Sequence, residues 1–145
     1  MNCHVETPFK AQTQLKAHGV FPFKGDFVAS FALQNFSGPP ISANYVASTA
    51  DVFPSLGRGL SSGGTINVPL IAPQTQFEDR ITRLDLRFSK IFKVDRFRIQ
   101  LNVDAYNALN SAGIRSVIGA FGPRWQSVAQ ILDPRLVQVG GQISF

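Results

Sequence analysis

The stretch Phe97-Arg98-Ile99-Gln100-Leu101-Asn102-Val103-Asp104-Ala105-Tyr106-Asn107 decides how this chain is read. Phe97, Ile99, Leu101, Val103 and Ala105 share one parity, and Arg98, Gln100, Asn102, Asp104 and Tyr106 share the other. Apolar residues at every second position mark a β-strand with one greasy and one polar face, since a helix would repeat every 3.6 residues. About ten alternating residues is also the length that crosses a bilayer at barrel tilt.

Working outward, Arg80 to Phe92 repeats the pattern. Leu84, Leu86, Phe88 and Phe92 fall on one face, interrupted by Lys90, while Arg83, Asp85, Arg87 and Ser89 fall on the other. Lys93-Val94-Asp95-Arg96 is short enough for a tight hairpin. A turn centred on Val94-Asp95 predicts Leu86 beside Val103 and Phe88 beside Leu101, with Arg83 and Arg87 diagonal to Asp104. Downstream, Arg135 to Phe145 places Val137, Val139, Gly141, Ile143 and Phe145 opposite Gln138, Gly140, Gln142 and Ser144.

Upstream, Phe27 to Phe36 sets Phe27, Ala29, Phe31 and Leu33 against Val28, Ser30, Ala32 and Gln34. Before it, Gln14 to Val20 alternates more weakly, and Phe21-Pro22-Phe23-Lys24-Gly25-Asp26 predicts a short turn, where proline and glycine are at home. The connections 37–79 and 108–132 are long. Ile41–Ala47 and Thr65–Ile71 are short strand candidates within the first, which also carries the turn-like run Ser61-Ser62-Gly63-Gly64, and residues 1–12 form an N-terminal arm. Counted back from Phe145, connections run long, short, long, short, as the loops and turns of an outer-membrane barrel do. Phenylalanines gather at the turn-side strand ends (Phe21, Phe27, Phe92, Phe97, Phe145), where an interfacial aromatic girdle would lie.

The expected fold class is therefore all-β, an antiparallel up-and-down transmembrane β-barrel segment. About five strands cannot close a barrel, since the smallest have about eight, so the barrel is incomplete within this chain. The expected lipid-facing residues are Phe97, Ile99, Leu101, Val103, Leu84, Leu86 and Phe88. The expected lumen-facing residues are Arg83, Asp85, Arg87, Arg98, Gln100, Asn102 and Asp104. The alternative is a soluble β-sandwich that binds carbohydrate or another ligand, because a sandwich strand alternates too.

Composition bounds the other classes. Across 145 residues, 13 are phenylalanine and only 16% are charged, too apolar for a disordered chain and low in charge for a soluble domain. Mean hydropathy is +0.05, so the apolar residues are dispersed and no run makes a spanning helix. The net charge of +5 comes from scattered lysines and arginines without the basic cluster of a nucleic-acid tail, so no nucleic-acid partner is expected. Cys3 is the single cysteine and excludes an intrachain disulfide. Met1-Asn2-Cys3-His4 opens no signal peptide, which for an exported barrel leads us to expect a piece of a longer reading frame.

No catalytic, cofactor or metal site is expected. His4 beside Cys3 is an incidental pair, Glu78, Asp79 and Asp85 lack the spacing of a calcium loop, and Gly57-Arg58-Gly59 lacks the frame of a phosphate loop. Tyr45, Arg124 and Trp125 could touch a ligand from the long connections, but packing of the barrel mouth is the favoured role.

Three stretches carry a family resemblance. Arg83-Leu-Asp-Leu-Arg-Phe-Ser-Lys-Ile-Phe92 resembles the strand entering the last periplasmic turn of TonB-dependent outer-membrane receptors, in particular their Oar-like branch. Asp104-Ala-Tyr-Asn-Ala-Leu-Asn110 resembles the end of their penultimate strand, and Gln138-Val-Gly-Gly-Gln-Ile-Ser-Phe145 is similar to the C-terminal assembly signal of outer-membrane barrels. The resemblance spans about Phe9 to Phe145. It implies a wall segment of a transporter that imports a solute, with Gln138, Gly140, Ile143 and Phe145 read by the barrel-assembly machinery. The implied partners are the lipid bilayer and the upstream strands and plug of a longer parent chain. No enzyme activity or cofactor is implied.

Overall fold

The computed structural model describes residues 4–61 and 64–145. Cys3 and the Ser62-Gly63 part of the turn-like run lie outside the described residues. The main body is one five-stranded antiparallel sheet of order β1-β2-β5-β6-β9, built from β1 (Leu15–Phe23), β2 (Phe27–Phe36), β5 (Ile81–Val94), β6 (Phe97–Tyr106) and β9 (Leu136–Ser144). Each strand pairs with the next in the sheet, and the described sheet stays open, with β1 and β9 as its edges. The all-antiparallel β expectation holds.

Strict antiparallel pairing sends β1, β5 and β9 one way and β2 and β6 the other. The short turns 24–26 and 95–96 and the terminal Phe145 therefore share one end, and the long connections leave from the opposite end. Two smaller ribbons occupy that opposite end. One pairs β3 (Asn44–Ser48) with β4 (Thr65–Pro69), and the other pairs β7 (Ile114–Val117) with β8 (Val128–Ile131). The second ribbon lies in what the sequence offered only as a loop. Its strands are four residues each with a register shift, too short for alternation to be legible.

Two helices also went unforeseen. Helix α1 (Phe9–Gln12) is a single turn in the N-terminal arm. Helix α2 (Thr49–Leu56) opens on a full capping box: the Ser48 backbone N–H donates to Asp51 Oδ2 at 2.8 Å, and the Asp51 N–H donates to Ser48 Oγ at 3.3 Å. The Ser48 N–H and the Ser48 hydroxyl, both donating to Asp51 Oδ2, hold the Asp51 carboxyl below its ordinary range. The helix stops at Gly57, whose φ of 65° is the left-handed turn that glycine takes without strain. Gly57-Arg58-Gly59 is thus a helix end.

The β5–β6 register corrects the expected one by two residues. Val94 pairs with Phe97 across a two-residue turn, Asp95-Arg96, with Asp95 at φ 54°. Phe88 consequently faces Val103, Leu86 faces Ala105, and Arg87 stands directly opposite Asp104. A slip of two leaves every residue on its expected face, so alternation alone could not detect it. A second correction concerns Pro22. The chain turns at Lys24-Gly25-Asp26, and Pro22 lies inside β1, paired with Val28. That placement is tolerated because β1 is an edge strand, with one side free of ladder partners.

Candidate functional site

The two faces of the main sheet differ in chemistry and in burial. Cross-strand partners share a face, so the pairings join Leu33, Leu84; Phe31, Leu86; Ala29, Phe88, Val103, Val139; and Ile99, Ile143 into one apolar surface running across the strands. Ordinary folding would bury such a surface. Here it is open: Phe88 is 48% exposed, Leu101 47%, Val103 45% and Val139 74%. Leu86 and Phe97 are likewise exposed, and Leu84 and Ile99 half-buried. All the expected lipid-facing residues fall on this side.

Lys90 is the exception on the apolar surface, and its geometry explains how it is tolerated. Its Nζ sits 3.9 Å from the Phe27 ring centroid and donates to the Gly25 carbonyl in the turn. The aliphatic stem thus runs along the apolar face while the ammonium reaches the turn end. Phe27 stacks on Phe88 at 5.4 Å and Phe21 on Phe31 at 6.1 Å, forming an aromatic patch toward that same end.

The opposite face carries the expected lumen-facing residues as a hydrogen-bonded ladder. Arg87 Nε and Nη2 donate to Asp104 Oδ1 and Oδ2 at 2.5 and 3.1 Å, and Asp104 is 6% exposed. Ser89 Oγ donates to Asn102 Oδ1 at 2.7 Å, and Gln100 Nε2 donates to the same oxygen at 2.9 Å. Arg83 does not lean toward Asp104 as expected. It grips Asp85, two residues along its own strand, through Nε and Nη2, both at 2.9 Å. The register slip gives Asp104 to Arg87 alone and leaves Asp85 as Arg83's same-face neighbour. Arg98 lies on this face near the turns, paired in register with Ser144.

Asn107 is the residue that reading the sequence missed. It is 3% exposed, with φ 48°, and joins three parts of the chain. Its backbone N–H donates to Asp85 Oδ1 at 2.9 Å, and its side-chain amide donates to the carbonyls of Ser111 and Asp133 at 2.9 and 2.8 Å. Asn110 Oδ1 accepts from the Arg135 N–H at 3.1 Å, so the Asn-Ala-Leu-Asn run pins both legs of the second long connection. The two asparagines at spacing three were the available signal, since asparagine takes the left-handed conformation more readily than most residues.

That connection folds back over the polar face. A side chain at Gly113 would meet Ile81 at 2.9 Å, and Leu132 N–H donates to the Gly113 carbonyl at 2.8 Å. Ile81, Leu132, Ala43 and Ala47 are the buried apolar residues among those described, and they sit toward the long-connection end. The two ribbons meet there. Trp125 Nε1 donates to the Ser42 carbonyl at 2.9 Å, and Phe121 lies between Tyr45 and Trp125 with ring centroids 6.4 and 5.9 Å away. Tyr45 and Trp125 thus pack one ribbon on the other, while Arg124 is exposed.

The assembly-signal residues lie on the edge strand β9 and just past it. Gln138 and Gly140 point to the polar face, opposite Asp104 and Asn102, and Ile143 points to the apolar face, opposite Ile99. A side chain at Gly140 would meet nothing within 4 Å, and Phe145 is 97% exposed. Among the described residues, no three acidic, histidine or cysteine side chains gather to hold a metal, and His4 Nε2 lies 3.1 Å from Glu6 Oε1. No helix is long and apolar enough to cross a membrane, which says nothing of strands.

These features define a class, an antiparallel β protein whose main sheet carries an uncovered apolar face and a polar one whose buried groups are hydrogen-bonded. Comparison with family models, curated proteins and solved structures returned no match.

Proposed function

We propose that this chain forms part of the wall of an outer-membrane β-barrel, of the kind found in TonB-dependent receptors of the Oar-like branch, in a parent protein that imports a solute. The carrying observation is the inversion of burial: Val103 and Val139 stand in the open while Asp104 and Ser89 are 6% and 4% exposed. Each large apolar side chain left in water forfeits roughly 1.5–3 kcal/mol of burial, so a contiguous face of them calls for an apolar surrounding. Lipid supplies that surrounding, and the polar face, its buried groups hydrogen-bonded, suits a lumen.

Three details agree with this reading. β2 pairs along Ile81–Lys90 and β6 along Leu86–Val94, a stagger of the sort that tilted barrel strands carry. Lys90 reaches for the turn end, as a lysine near a membrane interface does. Short turns occupy one end and long connections the other. The open edges at β1 and β9 would leave unpaired backbone groups in hydrocarbon, so the wall is completed by further strands of a longer parent chain. Gln138, Gly140, Ile143 and Phe145 then serve as the mark read by the assembly machinery.

Single cysteines at Val103 and Gln100, in a Cys3→Ser background within the completed parent barrel reconstituted in vesicles, carry spin labels for collision measurements. Val103 should be quenched by lipid-soluble oxygen and Gln100 by a water-soluble nickel chelate. Equal water access at both positions, or shielding of Val103 from both quenchers, overturns the proposal.

A further inference from the structure

We infer that the polar face carries, beneath the folded-back second connection, a binding site for a small organic anion with an apolar body. A cavity of about 380 Å³ opens there, lined by Gln34, Phe36, Ile81, Arg83, Arg115 and Leu132, among others. Gln34, Phe36, Ile81 and Arg83 belong to the polar-face parity of β2 and β5, and Arg115 and Leu132 come from the second connection. Its size falls within the range of ligand pockets, which are apolar cavities with a few placed polar groups. Phe36, Ile81 and Leu132 supply the apolar wall.

The charges decide the ligand class. Arg83 is committed, both of its contacts going to Asp85 at 2.9 Å. Arg115 is not. Its Nη1 approaches Asp133 Oδ2 only to 4.0 Å, too long for a hydrogen bond, and the Asp133 side chain is largely exposed. A guanidinium carries five donors in a fork that matches a carboxylate or phosphate, so Arg115 presents an anion receptor at the cavity wall. Gln34 adds an amide to the same lining. Arg83 offsets the charge of Asp85, and Asp133, the carboxylate that comes within 4.0 Å of Arg115, is 87% exposed and screened by solvent. The site deepens the wall reading, and it rests on that reading only for the direction from which the ligand arrives.

The test titrates the full chain in detergent micelles with benzoate, with its neutral analogue benzamide and with inorganic phosphate, following the shifts of ¹⁵N-labelled Arg115 and Gln34 side chains. Benzoate should bind at least about tenfold more tightly than benzamide, the scale of one charge-assisted hydrogen bond, and more tightly than phosphate, which cannot use the apolar wall. Arg115→Gln should weaken benzoate about tenfold and Arg115→Lys less. Gln34→Glu, an exposed sheet position, should weaken it through repulsion and serves if Arg115→Gln disturbs the second connection. Equal affinity for benzoate and benzamide, phosphate binding as tight as benzoate, or indifference to both substitutions overturns the site. Because membrane insertion is read separately by the collision measurements, loss of the anion site with Val103 still in lipid leaves the wall proposal standing.

Discussion

The two faces of the main sheet are made by the same strands from alternate residues, yet they solve opposite problems. On one face Phe88, Val103 and Val139 stand side by side and uncovered. On the other, Asp104 and Ser89 are nearly inaccessible, and each is hydrogen-bonded across the strands. In a water-soluble sheet the apolar face is hidden and the charged face is wet. The reversal teaches that stability of this sheet depends on what lies against its apolar side, while its polar side is largely satisfied from within.

The sharpest way to break that comparison is to place the same charge on each face. Val103→Arg should cost roughly 2–4 kcal/mol in lipid if the position lies near the midplane, whereas Gln100→Arg should stay within about 1 kcal/mol. Denaturant unfolding in bilayers reads both, and equal costs would abolish the distinction between the faces. Asp104→Ala comes next. It strands Arg87, but because Arg87 is half exposed the loss should be about 1–3 kcal/mol, well below the figure for a fully buried pair. Arg83→Ala, whose partner Asp85 is more exposed than Asp104 and keeps the Asn107 N–H, should cost no more than about 1 kcal/mol.

Asn107→Ala sharpens the comparison at the end of the polar face. It removes the amide that holds Ser111 and Asp133, and should cost about 1–2 kcal/mol. Hydrogen exchange should then accelerate at Gly113 and Leu132 before it does at the centre of β6. The smallest effect lies in the turns. A hydrogen bond from Lys93, at 2.7 Å, holds the Asp26 carboxyl below its ordinary range. A carboxyl lowered by folding contributes stability that is complete above its unfolded pKa, about 3.9, and is lost as pH falls through the lower folded value. Acidification below about pH 4 should therefore loosen the link between the two turns, read as faster amide exchange at Phe27, with the strand interiors unchanged.

Much of this architecture was legible because period-two alternation is a direct imprint of the pleat. The ends of β2 are where the pattern ended, and every residue assigned to a face lies on that face. Pairing register was not legible in the same way. Val94-Asp95 and Asp95-Arg96 both centre a plausible turn, and choosing between them moves partners by two positions without exposing any apolar residue. Arg83 was misassigned for this reason alone. The short ribbon strands β7 and β8 offer four residues each, and α2 announces itself only through Ser48 and Asp51 three positions apart.

The candidate cavity was less legible still. Arg83 was noted as a polar-face residue, but Arg115 and Leu132 reach it from a segment that alternation could not read, over a separation that only the Asn107 anchor and the close approach of Gly113 to Ile81 bring about. Sequence by itself determined that strands would form, which residues would share a side, and that short turns would collect at one end, because these follow from local alternation and turn chemistry. Tertiary structure alone decided which side chains meet across strands and that the second connection folds back on the sheet, because those contacts join residues distant in the chain whose pairing no local pattern encodes.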